Sequence, residues 1–328
     1  MKLVKLVPDD TNISFLRLRV PFYVVSLILV IASWALVAVN GLNLGVDFVG
    51  GQMIRATFTQ SANAPVADLR REIGALDFGD PIIQRFGQPN EVSIRMRLPE
   101  ATEDGSDVIV LADRMTQQIT AAMKTAYPDV RIDGVDSVSG KVSDELFNTG
   151  MLALLAAMVA IAIYIWVRFE WQFGVGALLS LLHDVSLTMG FFAISQLEFD
   201  LNIVAAILAI IGYSLNDTIV VYDRIRENLK KFRRMPLEEL LDLSVNETLA
   251  RTVVTSLTTL MVLIALLTLG PDATFGFAAA IALGIFIGTY SSIYMAAPIL
   301  IWLKVDANSF VPKETAMDRQ ERIARGEA

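Results

Sequence analysis

The chain has 328 residues, of which 54% are hydrophobic and 19% are charged, and the apolar residues fall into long unbroken runs. This pattern predicts a polytopic α-helical membrane protein, because soluble helices carry spaced apolar stripes instead. Cysteine is absent and histidine occurs once, which excludes disulfides, thiol catalysis and a multi-histidine metal site, and the acidic excess of residues 41–148 argues against nucleic acid as a partner.

The first apolar run covers residues 21–40 and follows a basic segment, residues 1–20. It is too long for a signal peptide and no small-residue cleavage site follows, so we interpret it as an uncleaved transmembrane anchor. Five further runs qualify as transmembrane helices, which gives six in total. They cover residues 151–167, 173–194, 201–222, 253–269 and 275–302.

Basic residues are distributed unevenly between the connections. Seven Lys or Arg lie in residues 223–251 and five follow residue 302, whereas residues 195–200 and 270–274 contain none. Lys and Arg accumulate in the cytoplasmic loops of membrane proteins. We therefore expect both termini in the cytoplasm, including the tail at residues 304–328, and we expect residues 41–148 outside it.

Residues 41–148 alternate between strand and helix patterns. Strands are predicted at residues 52–59, 81–86, 91–98 and 130–138, with helices at 64–76 and 106–126. The order β-α-β-β-α-β predicts an extracytoplasmic α+β domain of the ferredoxin-like type, inserted after the first transmembrane helix.

The motif GVDFVGG joins the first transmembrane helix to this domain. Its glycines, Gly45, Gly50 and Gly51, permit positive φ and close backbone approach, and Asp47 can bond nearby amides. We interpret it as a tight turn and hinge at the membrane exit. It does not lie between a strand and a helix as a nucleotide-binding loop does.

His183 and Asp184 lie near the middle of the third predicted helix. They could form part of a proton relay, or they could be polar groups that join helices, and the sequence favours neither for His183. Side chains of adjacent helical residues point about 100° apart. We therefore expect no direct contact between the two and a separate partner for each on another helix.

Asn216 and Asp217 interrupt the apolar run of the fourth predicted helix. A carboxylate there costs roughly 2.5 to 3.5 kcal/mol on insertion scales, so we expect Asp217 to face other helices or water and to be functional. Arg251 begins the fifth run at a similar depth, because the two helices are antiparallel. The alternative for Arg251 is one more basic anchor at the membrane surface.

Small residues recur every fourth position in the sixth predicted helix. They are Gly276, Ala280, Gly284, Gly288, Ser292 and Ala296. Such a series allows close helix packing, either inside the bundle or against a partner.

Four motifs together resemble the SecF family of the resistance-nodulation-division superfamily. They are GVDFVGG, SLLHDV, GYSLNDTIVVYDRIREN and ARTVVTSLTTL. The resemblance implies a non-enzymatic subunit of the bacterial inner membrane that works with SecD and the SecYEG channel, contacts the translocating preprotein outside the cytoplasm and uses protons rather than a bound cofactor. It makes Asp217 the protonatable group and Arg251 its cationic counterpart.

Two alternatives remain from the residues alone: a proton-driven small-molecule exporter of the same superfamily, and a scaffold whose buried charges only pair. An intramembrane hydrolase is disfavoured, because no serine or aspartate pair has a suitable spacing. Six transmembrane helices and one external domain correspond to a single repeat of a two-repeat transporter. We therefore expect a second bundle to cover Asp217.

Overall fold

The computed structural model describes residues 8, 11–76, 78–85, 88–97 and 106–305. Within these ranges, six helices are long and apolar enough to cross a membrane, and we name them spans 1 to 6. They cover Phe15–Asn40, Gly140–Arg168, Trp171–Ser195, Leu201–Lys231, Leu237–Leu269 and Phe275–Trp302. Most of the two terminal segments expected in the cytoplasm, residues 1–7, 9–10 and 306–328, lies outside the described residues.

Several spans are longer than the apolar runs that predicted them. Span 2 begins at Gly140, span 4 continues to Lys231 and span 5 begins at Leu237. Hydropathy detects only the bilayer-length part of a helix, whereas these extensions are amphipathic. Their buried apolar residues form a cluster with the start of span 1, which includes Phe15, Leu16, Ile225, Leu229, Leu240, Leu241 and Val245.

Spans 3, 4 and 6 form the centre of the membrane bundle. Roughly half of the apolar stretch of each is buried, against less than a fifth in spans 1, 2 and 5. The peripheral spans expose large apolar side chains such as Ile28, Leu152 and Met261. The chain itself therefore buries the polar groups on the inner faces of the three central spans.

The small residues of span 6 pack against span 4. A Cβ atom at Gly284 would overlap three side-chain carbons of Ile210, and one at Gly288 would lie 3.0 Å from the Cβ of Ser214. A Cβ at Gly276 would lie 3.6 Å from Ile203, which is ordinary contact. The series thus serves close packing inside this bundle.

Span 6 is not a continuous α-helix. Phe275–Ser291 is α-helical, Ser292–Ala296 forms a π-helical turn and Ala297–Trp302 resumes the α-helix. The freed carbonyls of this turn accept hydrogen bonds from tyrosines of other spans, since the Tyr222 hydroxyl lies 3.0 Å from the Ala296 oxygen and the Tyr23 hydroxyl 2.7 Å from the Met295 oxygen. Such turns are frequent at functional sites in helices.

A four-stranded sheet with two helices forms a separate domain between spans 1 and 2. In chain order its elements are β1 (Gly51–Phe58), α1 (Val66–Gly74), β2 (Ile82–Arg85), β3 (Glu91–Met96), α2 (Ser106–Ala126) and β4 (Val130–Val138). The spatial order is β2-β3-β1-β4, with every pair antiparallel. Apolar residues of the strands and both helices share one core, which includes Ile54, Phe58, Leu69, Ile94 and Ile119.

The two connections of the sheet domain cross at one point. After a short helix at Val46–Val49, Gly50 and Gly51 take φ values of 69° and 116°, which favour glycine. A Cβ at Gly50 would lie 3.1 Å from the Cα of Gly140, the first residue of span 2. A Cβ at Gly51 would overlap the Met96 carbonyl oxygen. The chain therefore enters and leaves the sheet domain through a single glycine-lined crossing.

We predict that Gly284→Ala destabilises the membrane bundle. The added methyl group must displace Ile210, which is itself buried against other side chains, and overpacking of this kind costs about 1 to 3 kcal/mol. Thermal unfolding of the purified full chain in a mild detergent measures the effect. The matched variant Gly276→Ala should unfold near the wild-type temperature, and an equal loss in both variants would contradict the proposed packing.

Candidate functional site

Asp184 joins the three central spans. It is 1% exposed, and its Oδ2 accepts hydrogen bonds from the hydroxyls of Ser214 on span 4, at 2.5 Å, and Ser291 on span 6, at 2.8 Å. The two serines thus bond the carboxylate to both neighbouring central spans, beside the close contact of Gly288 with Ser214. Asp184 thus has the partners on other helices that the sequence predicts.

His183 contacts Asp184 directly, so the expectation that the two side chains do not meet is wrong. The His183 Nδ1 lies 2.9 Å from the Asp184 Oδ1. The imidazole extends around the helix toward Asp184. The angle between the Cβ directions of adjacent residues does not exclude such a contact. The ring also lies 5.9 Å from that of Tyr290, centroid to centroid, and its Nε2 is buried with no hydrogen-bond partner among the described residues.

Asp217 lies one helical turn beyond Ser214 on the same face of span 4. It is 2% exposed, and its Oδ2 is buried with no hydrogen-bond donor among the described residues. Because Ser214 bonds Asp184, the neighbourhoods of the two carboxylates adjoin along span 4. This chain alone buries Asp217, so the expectation that a second bundle is needed to cover it is wrong.

Asn216 and Arg251 are not brought into this buried cluster. Asn216 is exposed and points away from the face that carries Asp217. Arg251 is also exposed on span 5, and within the described residues no ion pair joins it to Asp217, although it lies in electrostatic range of that carboxylate. The sequence predicts Arg251 as a close counterpart of Asp217, whereas the structure places Arg251 on the surface of the bundle.

Spans 4 and 5 pack as an antiparallel hairpin with a register set by polar contacts. The Tyr213 hydroxyl lies 3.4 Å from the Ser256 Oγ, and farther along the Asn228 Nδ2 lies 3.0 Å from the Ser244 Oγ. Between these two contacts lie Asp217 on span 4 and Thr252 on span 5.

Thr252 differs from the other threonines of span 5. Thr248, Thr255, Thr258, Thr259 and Thr268 all donate to carbonyls of their own helix. The Thr252 hydroxyl is instead buried with no partner among the described residues. Among the described residues, Asp217 on span 4 and Thr252 on span 5 thus each have a buried oxygen without a hydrogen-bond partner.

Sequence reasoning missed Ser214 and Ser291 as partners of Asp184. The available signal was weak, because serine is common in membrane helices and bonds its own backbone there. Ser214 precedes Asp217 by three residues, a spacing that places both on one helix face.

The exit turn is bonded to the connection between spans 3 and 4. Asp47 accepts a hydrogen bond from the Leu201 amide at 3.0 Å, so it binds the start of span 4. The Gly45 amide donates to the Phe199 carbonyl at 2.9 Å, and the Phe199 amide donates to the Asn43 carbonyl at 2.8 Å. The predicted turn is therefore also a docking contact between the sheet domain's stem and the membrane bundle.

Comparisons with known proteins match this architecture. The family model for the C-terminal part of the protein export membrane proteins SecD and SecF matches residues 117–306, and the model for the SecD/SecF GG motif matches residues 35–62. The match to the GG motif contains Gly50 and Gly51 of the glycine crossing.

Curated relatives extend the match to most of the chain. The protein translocase subunit SecF of Rhodobacter capsulatus is 43% identical over 311 residues, covering 93% of this chain and 93% of the relative. The SecF subunit of Rickettsia akari is 38% identical over 298 residues, covering 90% and 94%.

Solved structures of SecDF show the same arrangement. The crystal structure of SecDF from Thermus thermophilus, described as a translocon-associated membrane protein, matches with a TM-score of 0.77 and 33% identity over 90% of this chain. A structure of SecDF in a super-membrane-facing form matches with a TM-score of 0.65 and 31% identity over 100% of this chain.

This chain spans 39% and 41% of those two SecDF chains, so it corresponds to part of each. The match to SecF subunits, by contrast, covers nearly their full length. Six membrane spans, the glycine crossing and the polar cluster of the central spans all lie within the matched residues. The chain belongs to the SecD/SecF family of protein-export membrane proteins and, within it, to the SecF subunits.

Proposed function

We propose that this chain is an accessory subunit of the Sec protein translocase that works with SecD and uses the proton motive force to promote export through SecYEG. One observation carries the proton part of the proposal. Asp217 is a buried carboxylate with an unpartnered oxygen inside an apolar span. Ionisable residues at such positions mark proton relays and ion pathways.

The proposed orientation places both termini in the cytoplasm and the sheet domain in the periplasm of a bacterial inner membrane. It is supported by the basic connection between spans 4 and 5. The element order and the strand order β2-β3-β1-β4 support a ferredoxin-like domain there. In this position the domain would meet the preprotein as it emerges.

The buried cluster offers a mechanism for proton binding and release. Asp217 is the proposed proton acceptor, with Asp184 and His183 adjoining it through Ser214. An approach of the Arg251 guanidinium favours the ionised carboxylate, and its retreat favours the neutral acid. A rearrangement of span 5 relative to span 4 would therefore load and release a proton.

The available energy limits what each proton can do. One charge that crosses 100 mV releases roughly 2.3 kcal/mol, which can bias two domain arrangements but cannot unfold a preprotein domain. We therefore propose repeated small cycles, each of which shifts the sheet domain and the emerging chain.

We predict that Asp217→Asn abolishes the stimulation of export by the proton motive force, because the amide cannot take up a proton. Arg251→Met should do the same by removing the switching charge. The measurement is preprotein transport and proton flux in proteoliposomes that contain the complete translocase.

The matched controls are Asp223→Asn, an exposed acid farther along the same span, and Arg233→Met, an exposed base of the following loop. Both should transport at the wild-type rate. Full stimulation by a maintained gradient in Asp217→Asn would end the relay hypothesis.

We also propose that SecD covers the exposed face of span 5. Arg251, Val254, Leu257, Thr258 and Met261 are exposed along this face. A guanidinium and a hydroxyl here would meet lipid in an isolated subunit, which membrane proteins avoid. Repeat-built transporters place their coupling sites at such interfaces.

Cysteines at Val254, Leu257 and Met261 should therefore cross-link to SecD in native membranes. A cysteine at Ile28, on the lipid-exposed side of span 1, provides a comparison at another exposed surface. Mass measurement after gentle extraction should give a complex larger than this chain. A lone subunit that conducts protons at the wild-type rate is the result that defeats this proposal.

We propose that the sheet domain moves as a rigid body about the glycine crossing. Gln88 of this domain and Ala273, between spans 5 and 6, line the same cavity. A short bis-maleimide bridge between cysteines at these positions should arrest late translocation, and a cleavable bridge should restore it after cleavage. Transport at the full rate with the bridge complete would show that the domain need not move.

A further inference from the structure

Glu198 lies where three parts of the chain meet. It belongs to the connection between spans 3 and 4. In this connection the amide and the carbonyl of Phe199 are both hydrogen-bonded to the backbone at the exit turn, to Asn43 and Gly45. The site is so close to the turn that a Cβ at Gly45 would lie 2.9 Å from the Glu198 Oε1. The carboxylate also lies in electrostatic range of charged residues of the sheet domain.

The charges around Glu198 come from three strands and its own loop. They are Arg55 on β1, Arg95 on β3, Asp136 on β4 and Asp200. Arg55 is bound to Asp136 in an ion pair, so only Arg95 remains without a carboxylate of its own among the described residues. Among the described residues, spans 5 and 6 contribute no charged side chain to the lining of the adjacent cavity.

Neither Glu198 nor Arg95 is fully satisfied. The Glu198 Oε1 is buried and accepts no hydrogen bond from the described residues, and the Arg95 Nε is buried and donates none. The Arg95 Nη2 is occupied by the Asn43 Oδ1 at 3.1 Å. The two opposite charges are near each other but form no ion pair within 4.0 Å, which leaves the carboxylate poorly compensated when ionised.

A cavity of about 340 Å³ separates the sheet domain from the ends of spans 4 to 6, and Glu198 and Arg55 line it. The cavity gives water access to one side of the carboxylate while the exit turn covers the other. A proton can therefore reach Glu198 without crossing the membrane bundle.

We propose that Glu198 is a second proton-binding site of this chain, and that its proton occupancy sets whether the sheet domain stays docked on the membrane bundle. The ligand is a proton from the water outside the cytoplasm. This inference rests on one part of the proposed function, the location of the sheet domain outside the cytoplasm. It does not require proton flux through Asp217.

The direction of the effect follows from the surroundings of the carboxylate. Burial raises the pKa of Glu198 from 4.5 to about 6, against the opposing effect of Arg55 and Arg95. Movement of the sheet domain away from the bundle would expose Glu198 to water and return its pKa toward the ordinary value. The docked arrangement therefore binds the proton more tightly, so docking strengthens as the pH falls through about 6 and weakens above it.

Distance measurements between spin labels test this proposal. Labels on cysteines introduced at Gln88 and Ala273 report the separation across the cavity, and the natural chain has no cysteine to interfere. The sample is the full chain with its co-purified partner in lipid nanodiscs, with neither a gradient nor a preprotein. We expect the ratio of docked to undocked molecules to rise about 8-fold between about pH 7.5 and about pH 5.

Variants of Glu198 separate this site from other titrating groups. Glu198→Gln mimics the protonated acid and should remain docked at both pH values, whereas Glu198→Asp keeps a titratable group and should retain a pH response. Asp113→Asn, an exposed acid on α2, should behave as the wild type.

An unchanged distance distribution in the wild-type chain, or a full pH response in Glu198→Gln, overturns the proposal. The pH response without a gradient tests Glu198 alone, while loss of gradient-driven export in Asp217→Asn tests the proposed function. The two can therefore fail separately.

Discussion

The centre of the membrane bundle depends on the close packing of three helices around the buried carboxylate of Asp184. Small residues of span 6 allow span 4 to approach it, and this approach brings the hydroxyls of Ser214 and Ser291 to Asp184. Polar groups inside hydrocarbon must find partners within the protein. Asp184 has such partners, whereas the Oδ2 of Asp217 has none among the described residues, although both side chains are almost fully buried. The two carboxylates therefore differ in their hydrogen bonding: Asp184 is bonded to two other helices, whereas Asp217 keeps an unpartnered oxygen.

The apolar runs and the strand patterns predicted most of the architecture, because each reflects a strong local constraint. A bilayer-length run must be a helix, and the alternation of Glu91–Met96 must place one side of a strand in a core. The helix bounds were less predictable, since the amphipathic start of span 5 resembles a soluble helix. Direct contact between His183 and Asp184 was not predictable from spacing, because it depends on the rotamer of the imidazole.

The candidate site was predicted in its residue types but only partly in its geometry. Asp217 and Asp184 stand out because a charge in an apolar run is costly wherever it points. Which helices supply their partners depends on tertiary packing, and a serine such as Ser291 carries no comparable signal. Arg251 illustrates the same limit: its depth follows from the hairpin, but its exposure depends on how span 5 rotates against span 4. Glu198 lies in a short polar connection, where a carboxylate is unremarkable until the sheet domain packs on it.

Span 4 provides a physical link between the sheet domain and Asp217. Its first amide groups are bound by Asp200 and by Asp47 of the exit turn, and Glu198 directly precedes this attachment. Asp217 lies 16 residues after Leu201, about 24 Å along the same unbroken helix. A displacement of the exit turn along the helix axis would therefore act on the part of span 4 that carries Asp217 and the Tyr213–Ser256 contact. The domain that would contact the preprotein and the carboxylate that would take up a proton are thus attached to the start and to the middle of one continuous helix.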